Sequence, residues 1–259
     1  MEPANISVVI VSFNRAERLR ESLAALTQPI QPLESGGVLQ VIVVDNGSRD
    51  GAASLDDEFP NVRFSRLPRN FGLTRALNIG VRAADGEYVL LMHDDVRIES
   101  AAVVALAEFL ESHPDVGAVC PKFGGPQMRP LPTPSNPDPT LQTWNSADEI
   151  VAECVIGAAI MVRSVFLRSM SQIDERYGNY GSDIELCAQV KSSGRKVIVL
   201  TKVAASHGSV PSPMPKGILK NDRLAGTAAY IAKHFGFRAG LLYRLKTAPF
   251  GAAKIDGSG

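Results

Sequence analysis

EYVLLMHDDV, residues 87–96, is an apolar run that ends in two adjacent carboxylates. Its core, Tyr88–Met92, shows no polar alternation, which marks a strand buried on both faces in a sheet covered by helices. Asp94 and Asp95 then fall at the rim of that sheet. Two negative charges at the end of a buried strand need positive charge beside them, because an unpaired buried carboxylate is strongly disfavoured. A divalent cation shared with a phosphorylated ligand meets that need, since Mg²⁺ and Mn²⁺ take oxygen ligands and often share them with substrate phosphates.

The surrounding sequence repeats the pattern. ISVVIVS (6–12), LQVIVVDN (39–46), NVRFSRL (61–67), VGAVC (116–120) and KVIVL (196–200) read as further strands. IVAECVIGAAIMVR (150–163) reads as one strand with a glycine at its middle, where a ligand or another backbone comes close. Helical spacing runs over 15–27, 73–84, 101–113, 182–194 and 221–236. Strands alternating with helices predict an α/β fold, a mostly parallel sheet with helices on both faces, in a single domain over residues 1–235. In such sheets ligands sit beyond the carboxyl ends of the strands, where Ser12, Asp45 and Asp94 all fall. The proline-rich stretches 121–145 and 206–217 read as surface loops. The tail, 236–259, mixes Arg and Lys with Phe, Leu and Tyr. Three roles stay open for it: a docked helix, a dimer contact or a membrane-peripheral segment.

Lys plus Arg equals Asp plus Glu at 27 each, so no net field recruits nucleic acid or anionic membrane. The start lacks the basic n-region of a signal peptide, and no stretch approaches the roughly 20 apolar residues that span a bilayer. Cys120, Cys154 and Cys187 are scattered and odd in number, which argues against a disulfide framework. The expected compartment is a reducing cytoplasm, including the inner face of the cell membrane.

Ordered motifs carry a resemblance across roughly residues 5–210. VVIVSFNR (8–15), VIVVDNGSRDG (41–51), RNFGLTRALNIGVRAADGEYVLLMHDDV (69–96), GAAIMVR (157–163) and IDERYGNYGSDIELC (173–187) occur in that order, with His207 following in ASHGS. Together they resemble the inverting glycosyltransferases of family 2, rhamnosyltransferase-like, with the GT-A nucleotide-sugar fold. The resemblance implies a UDP- or dTDP-linked sugar as donor and Mn²⁺ or Mg²⁺ as cofactor. The implied acceptor is a saccharide, a lipid-linked compound or a small molecule. It assigns Ser12, Asn14, Arg15, Asp45, Arg69, Asn70, Gly72, Asn78 and Asp94 to the nucleotide, and Asp95 and His207 to the metal. Asp183 becomes the general base, and Gly157, Ala158, Ser182 and Trp144 the sugar and acceptor contacts.

Two positions depart from the family pattern. His93 stands where an Asp-x-Asp motif has its first carboxylate, and Ser182 replaces the Glu of a Glu-Asp pair. Glu185, a helical turn on, is the residue left to share the role of the missing Glu. Asp183 also fits a plain helix N-cap. A nucleotide-sugar-binding module without turnover therefore stays open. A sugar nucleotidyltransferase is disfavoured, because SFNRAER after the first strand has no glycine for a phosphate loop.

Overall fold

The computed structural model describes residues 5–27, 39–143, 147–170, 172–208 and 212–247. Twelve strands are described: β1 Ile6–Ser12, β2 Leu39–Asp45, β3 Val62–Arg66, β4 Tyr88–His93, β5 Val96–Arg97, β6 Val116–Lys122, β7 Met128–Arg129, β8 Glu149–Ala152, β9 Cys154–Val155, β10 Ala159–Arg163, β11 Lys196–Ala204 and β12 Ser206–His207. Between them run α1 Ala16–Thr27, α2 Leu55–Glu58, α3 Leu73–Arg82, α4 Ser100–Ser112, α5 Ser164–Ser169, α6 Ser182–Ser192, α7 Lys216–Phe235 and α8 Phe237–Thr247.

Eight strands form the central sheet in the order β3-β2-β1-β4-β10-β6-β11-β8. β3, β2, β1 and β4 pair in parallel, as do β6 and β11, while β10 runs against both β4 and β6 and β8 runs against β11. The sheet is thus mostly parallel, with two reversed strands. Because successive strand residues face opposite ways, Val8 and Ile10 pack with Leu19, Leu23, Leu106 and Leu110 of α1 and α4. Val9 and Val11 face Leu77 of α3, and the same layer continues through Ile184 and Leu186 of α6. Register sets the site: Ser12 lies opposite Asp45, and Val11 opposite His93, so the rim residues of three strands are level.

The expected single strand over 150–163 is three pieces. Glu153 breaks it, accepting the Leu131 N–H at 3.0 Å and pairing with Lys191 at 3.2 Å. β9 then changes partner to β7, and residues 156–158 turn before β10. The first part of the 121–145 loop folds inward around Gln127, which is fully buried. Gln127 takes the Phe123 N–H at 2.7 Å and donates to the Pro121 carbonyl at 2.9 Å, meeting the requirement that a buried amide be paired. The last long helix begins five residues before the expected Asn221, and the start of the tail folds back on it as α8.

Glu185 lies on the inner side of α6, away from the rim. Its carboxylate accepts from the Tyr177 hydroxyl (2.6 Å), Lys233 Nζ (2.7 Å), Gln189 Nε2 (2.7 Å) and His234 Nε2 (2.8 Å). Burial opposes its charge, yet these donors hold its pKa well below the usual carboxylate range. It is a tie between α6, α7 and the turn at Tyr177. It does not share the role of a catalytic carboxylate.

Candidate active site at the carboxyl rim of the sheet

β4 ends at His93, and the chain turns through Asp94 and Asp95 into β5. The Ser22 hydroxyl of α1 fixes this turn, lying 2.8 Å from the Asp94 carbonyl and 2.6 Å from that of Val96. Ser12 donates its hydroxyl to Asp94 Oδ2 at 2.8 Å. Arg15 supplies the positive charge that the sequence requires here: its Nη1 is 2.9 Å from Asp95 Oδ2 and 3.3 Å from Asp94 Oδ1. Burial still pushes Asp94 up to about 6, against the pull of Ser12 and Arg15. Asp95 is also opposed by burial, but His207, His93 and Arg15 hold it below its usual range.

The short ribbon β5–β12 brings His207 to this turn, and the Gly208 N–H locks it by donating to the Asp95 carbonyl at 2.9 Å. His93, Asp95 and His207 each present a ligand atom, all within 4.8 Å of one another. Asp95 Oδ1 is buried without a hydrogen-bond partner and faces His207 Nε2 at 3.3 Å. Burial lowers the His93 pKa, favouring the neutral imidazole that binds metals. Two imidazoles and a carboxylate with an open oxygen fit a divalent ion, and His93 joins the expected Asp95 and His207. His93 is the last residue of β4 and Asp95 lies in the turn that follows, so the turn rather than strand alternation brings them together.

Beside the turn lies a polar cleft of about 270 Å³, lined by Phe13, Arg15, Asn46, Asn70, Asp94 and Met214 among others. Its walls are latched loops. Asn14 takes the Arg49 N–H at 2.8 Å and gives its own N–H to the Ser48 hydroxyl at 2.9 Å. Asn46 donates to Asn70 Oδ1 at 3.1 Å and accepts the Phe71 N–H at 2.9 Å. Asp45 is buried and caps the turn through the Ser48 N–H at 2.9 Å, so Asn46 lines the cleft in its place. Arg69 is exposed, with its guanidinium 4.9 Å over the Phe71 ring, and Gly72 (φ +89) starts α3. Asn78 departs from expectation. It is fully buried, and its amide is spent on the Ile173 backbone, donating at 2.8 Å and accepting at 3.1 Å.

Gly47 holds these loops together at φ +81, where an added Cβ would sit 2.5 Å from the Arg69 backbone. Gly47→Ala should therefore cost about 1–3 kcal/mol, because strain and clash fall on backbone that cannot swing away. Thermal unfolding checks the stability.

An apolar cavity of about 250 Å³ lies on the other side, lined by Leu73, Leu77, Ile160, Ile173 and Leu186, with Arg129, Ser182 and Asp183 as polar groups. Leu73, His93 and Asn179 line both cavity and cleft, so the two spaces share a wall. Asp183 is the second residue of α6, and Gly181 (φ +104) holds the N-cap position with no side-chain cap bond. Arg129 Nη2 is 3.2 Å from Asp183 Oδ2, and its Nη1 donates to the Tyr180 hydroxyl at 3.0 Å. Burial opposes the Arg129 charge, and Asp183, Cys154 and Tyr180 together more than offset it, raising the pKa. Gly157 leaves room for Asp183: a Cβ there would lie 3.0 Å from that of Asp183. Ala158 is not a contact, because its side chain is packed in the core and only its carbonyl works, accepting the His93 N–H at 2.9 Å. Trp144 lies outside the described residues. Arg129, hidden among prolines, and Asn179 were not legible as site residues, since their partners lie far away in sequence.

The sequence pattern of Glycosyl transferase family 2 matches residues 7–168. The chain belongs to that family. The match covers β1 to α5, so Asp183, His207 and α7 of this family-2 glycosyltransferase lie beyond it. A curated relative, the poly-beta-1,6-N-acetyl-D-glucosamine synthase of Staphylococcus epidermidis, is 28% identical over 127 residues, 48% of this chain and 29% of that protein. The chain thus spans less than a third of that relative's length. Among solved structures, S. aureus TarS 1-349 in complex with UDP-GlcNAc superimposes with a TM-score of 0.60 at 17% identity, over 94% of this chain and 73% of that one. The mannosyltransferase PcManGT of Pyrobaculum calidifontis, in complex with GDP-Man and Mn²⁺, gives 0.58 at 18% identity, over 96% and 76%. At these identities the likeness shows a shared fold.

Proposed function

We propose that this glycosyltransferase moves a sugar from a nucleoside-diphosphate donor in the polar cleft to an acceptor hydroxyl in the apolar cavity, inverting the anomeric centre. One observation carries the reading: His93, a member of the His93, Asp95 and His207 cluster, lies in the wall shared by the cleft and the cavity, and Asp183 lines that cavity. His93, Asp95 and His207 would hold a divalent ion, which would supply charge neutralisation for a departing diphosphate. Arg15 adds positive charge from the protein itself, and Asp94 offers an acceptor to ribose hydroxyls. Asp183 removes the proton from the acceptor oxygen as that oxygen attacks the anomeric carbon from the cavity side. Arg129 orients Asp183 through the 3.2 Å ion pair. The apolar lining keeps water from competing for the donor.

UDP-linked N-acetylhexosamine is the first donor to test, because relatives named as N-acetylglucosamine synthase and N-acetylglucosaminyltransferase and a neighbour bound to UDP-GlcNAc point to it. With Mn²⁺ present, a donor that binds only the native state raises the unfolding temperature. If no nucleotide sugar, UDP-, dTDP- or GDP-linked, shifts it, the reading is wrong.

Two imidazoles and one carboxylate favour Mn²⁺ over Mg²⁺, since nitrogen ligands suit transition ions better. Titration calorimetry should show tighter Mn²⁺ binding, weakened at least about tenfold in His93→Ala, a loss on the scale that even outer partners of a metal are worth. Equal affinity in the variant would remove His93 from the ligand set.

A further inference from the structure

We propose that the outer face of α8 docks on an anionic bilayer surface. α8 presents one face to α7. Gly240 is buried there, where a Cβ would meet that of Ala232 at 2.5 Å, and Tyr243 reaches Thr227. The opposite face has no such partner among the described residues. Helical spacing gathers Leu241, Leu242 and Leu245 on it, 44%, 58% and 53% exposed, and Phe237 at the helix start is 75% exposed. Exposed leucines clustered in this way form an interaction surface, unlike single apolar residues scattered over a protein.

Charge selects the occupant. Arg238 lies within the leucine face, and Arg244 and Lys246 fall on its two sides; all three are exposed. From Leu224 to Ile255 the sequence contains no Asp or Glu, although the whole chain balances its charges. Cations flanking an apolar stripe suit a lipid interface: the leucines enter the acyl boundary while the long basic side chains reach up to phosphates. A second copy of this chain would bring the same positive face, so a symmetric dimer through α8 would set like charges against each other. No described helix is long and apolar enough to cross a membrane, so the contact is peripheral.

The placement also matters for the site. Arg223, on α7 beside Tyr243, stacks 5.7 Å over Tyr180 of the cavity wall. Docking through α8 therefore holds the acceptor side of the molecule close to the lipid surface. Membrane binding itself is independent of the proposed transfer and is read without turnover.

Co-sedimentation of the full chain with phosphatidylcholine vesicles, with and without phosphatidylglycerol, tests the proposal. Binding should be at least tenfold stronger to the anionic vesicles and should fall as salt rises. The variant Leu241→Gln, Leu242→Gln, Leu245→Gln should lose vesicle binding while keeping the parent unfolding temperature. Arg244→Glu with Lys246→Glu should lose the preference for anionic lipid. Three results would overturn the proposal: no vesicle binding by the parent chain, undiminished binding by the leucine variant, or a dimer in light scattering that the leucine variant breaks while vesicles are ignored.

Discussion

Asp183→Asn should cut sugar transfer by about 10²–10⁴-fold, the usual worth of a positioned general base, while nucleotide-sugar binding stays at the parent level. The asparagine keeps the size of the side chain and its place over Gly157, and still offers an oxygen to Arg129. What it loses is the ability to take a proton. The loss should fall on kcat more than on KM, because the donor cleft lies across the shared wall and none of its lining residues is replaced. Release of nucleoside diphosphate measures turnover, and the thermal shift with donor measures binding. Near-parental turnover would strip Asp183 of its role and leave the N-terminal turn of α6 as structure alone. Loss of both readouts together would show that the variant damages the fold.

Replacing Glu185 with Ala should destabilise the protein by about 3 kcal/mol, at the low end for removing one partner of a buried ion pair because Lys233 is partly exposed. For a chain of this size that corresponds to a fall of roughly 6–12 °C in unfolding temperature. Acid should act in the same direction. The Glu185 pKa is depressed in the folded state, so its contribution is present above the ordinary carboxylate value of 4.5 and is lost as pH falls below it. Unfolding followed by circular dichroism from neutral pH downward should show the parent losing stability across that window. Glu185→Gln should show a flatter dependence. Equal slopes would mean that other carboxylates carry the acid sensitivity.

β1, β2 and β4 of the parallel half were readable because each is a separate apolar run with its own rim residue: Ser12 on β1, Asp45 on β2, Asp94 after β4. The region after β6 was not, because its order depends on partners that no local pattern reveals. Gln127 is buried by contacts to Pro121 and Phe123, and Glu153 divides an apparent strand by turning to Leu131 and Lys191. Local patterning also missed polar residues that serve the fold. The resemblance assigns Asn78 to the nucleotide, yet its amide completes the backbone of Ile173. Glu185 looks like a spare catalytic acid two residues after Asp183, but two positions on a helix turn it through about 200°, from the rim to the far packing face.

β10 runs against its neighbours, so the chain leaves the rim after β6 and must come back to the same rim before β10 can begin. Residues 123–158 make that excursion. They supply Arg129, Ile156 and Gly157 to the apolar cavity and no lining residue to the polar cleft. Insertion or exchange within this stretch can therefore reshape the cavity without replacing any residue that lines the cleft.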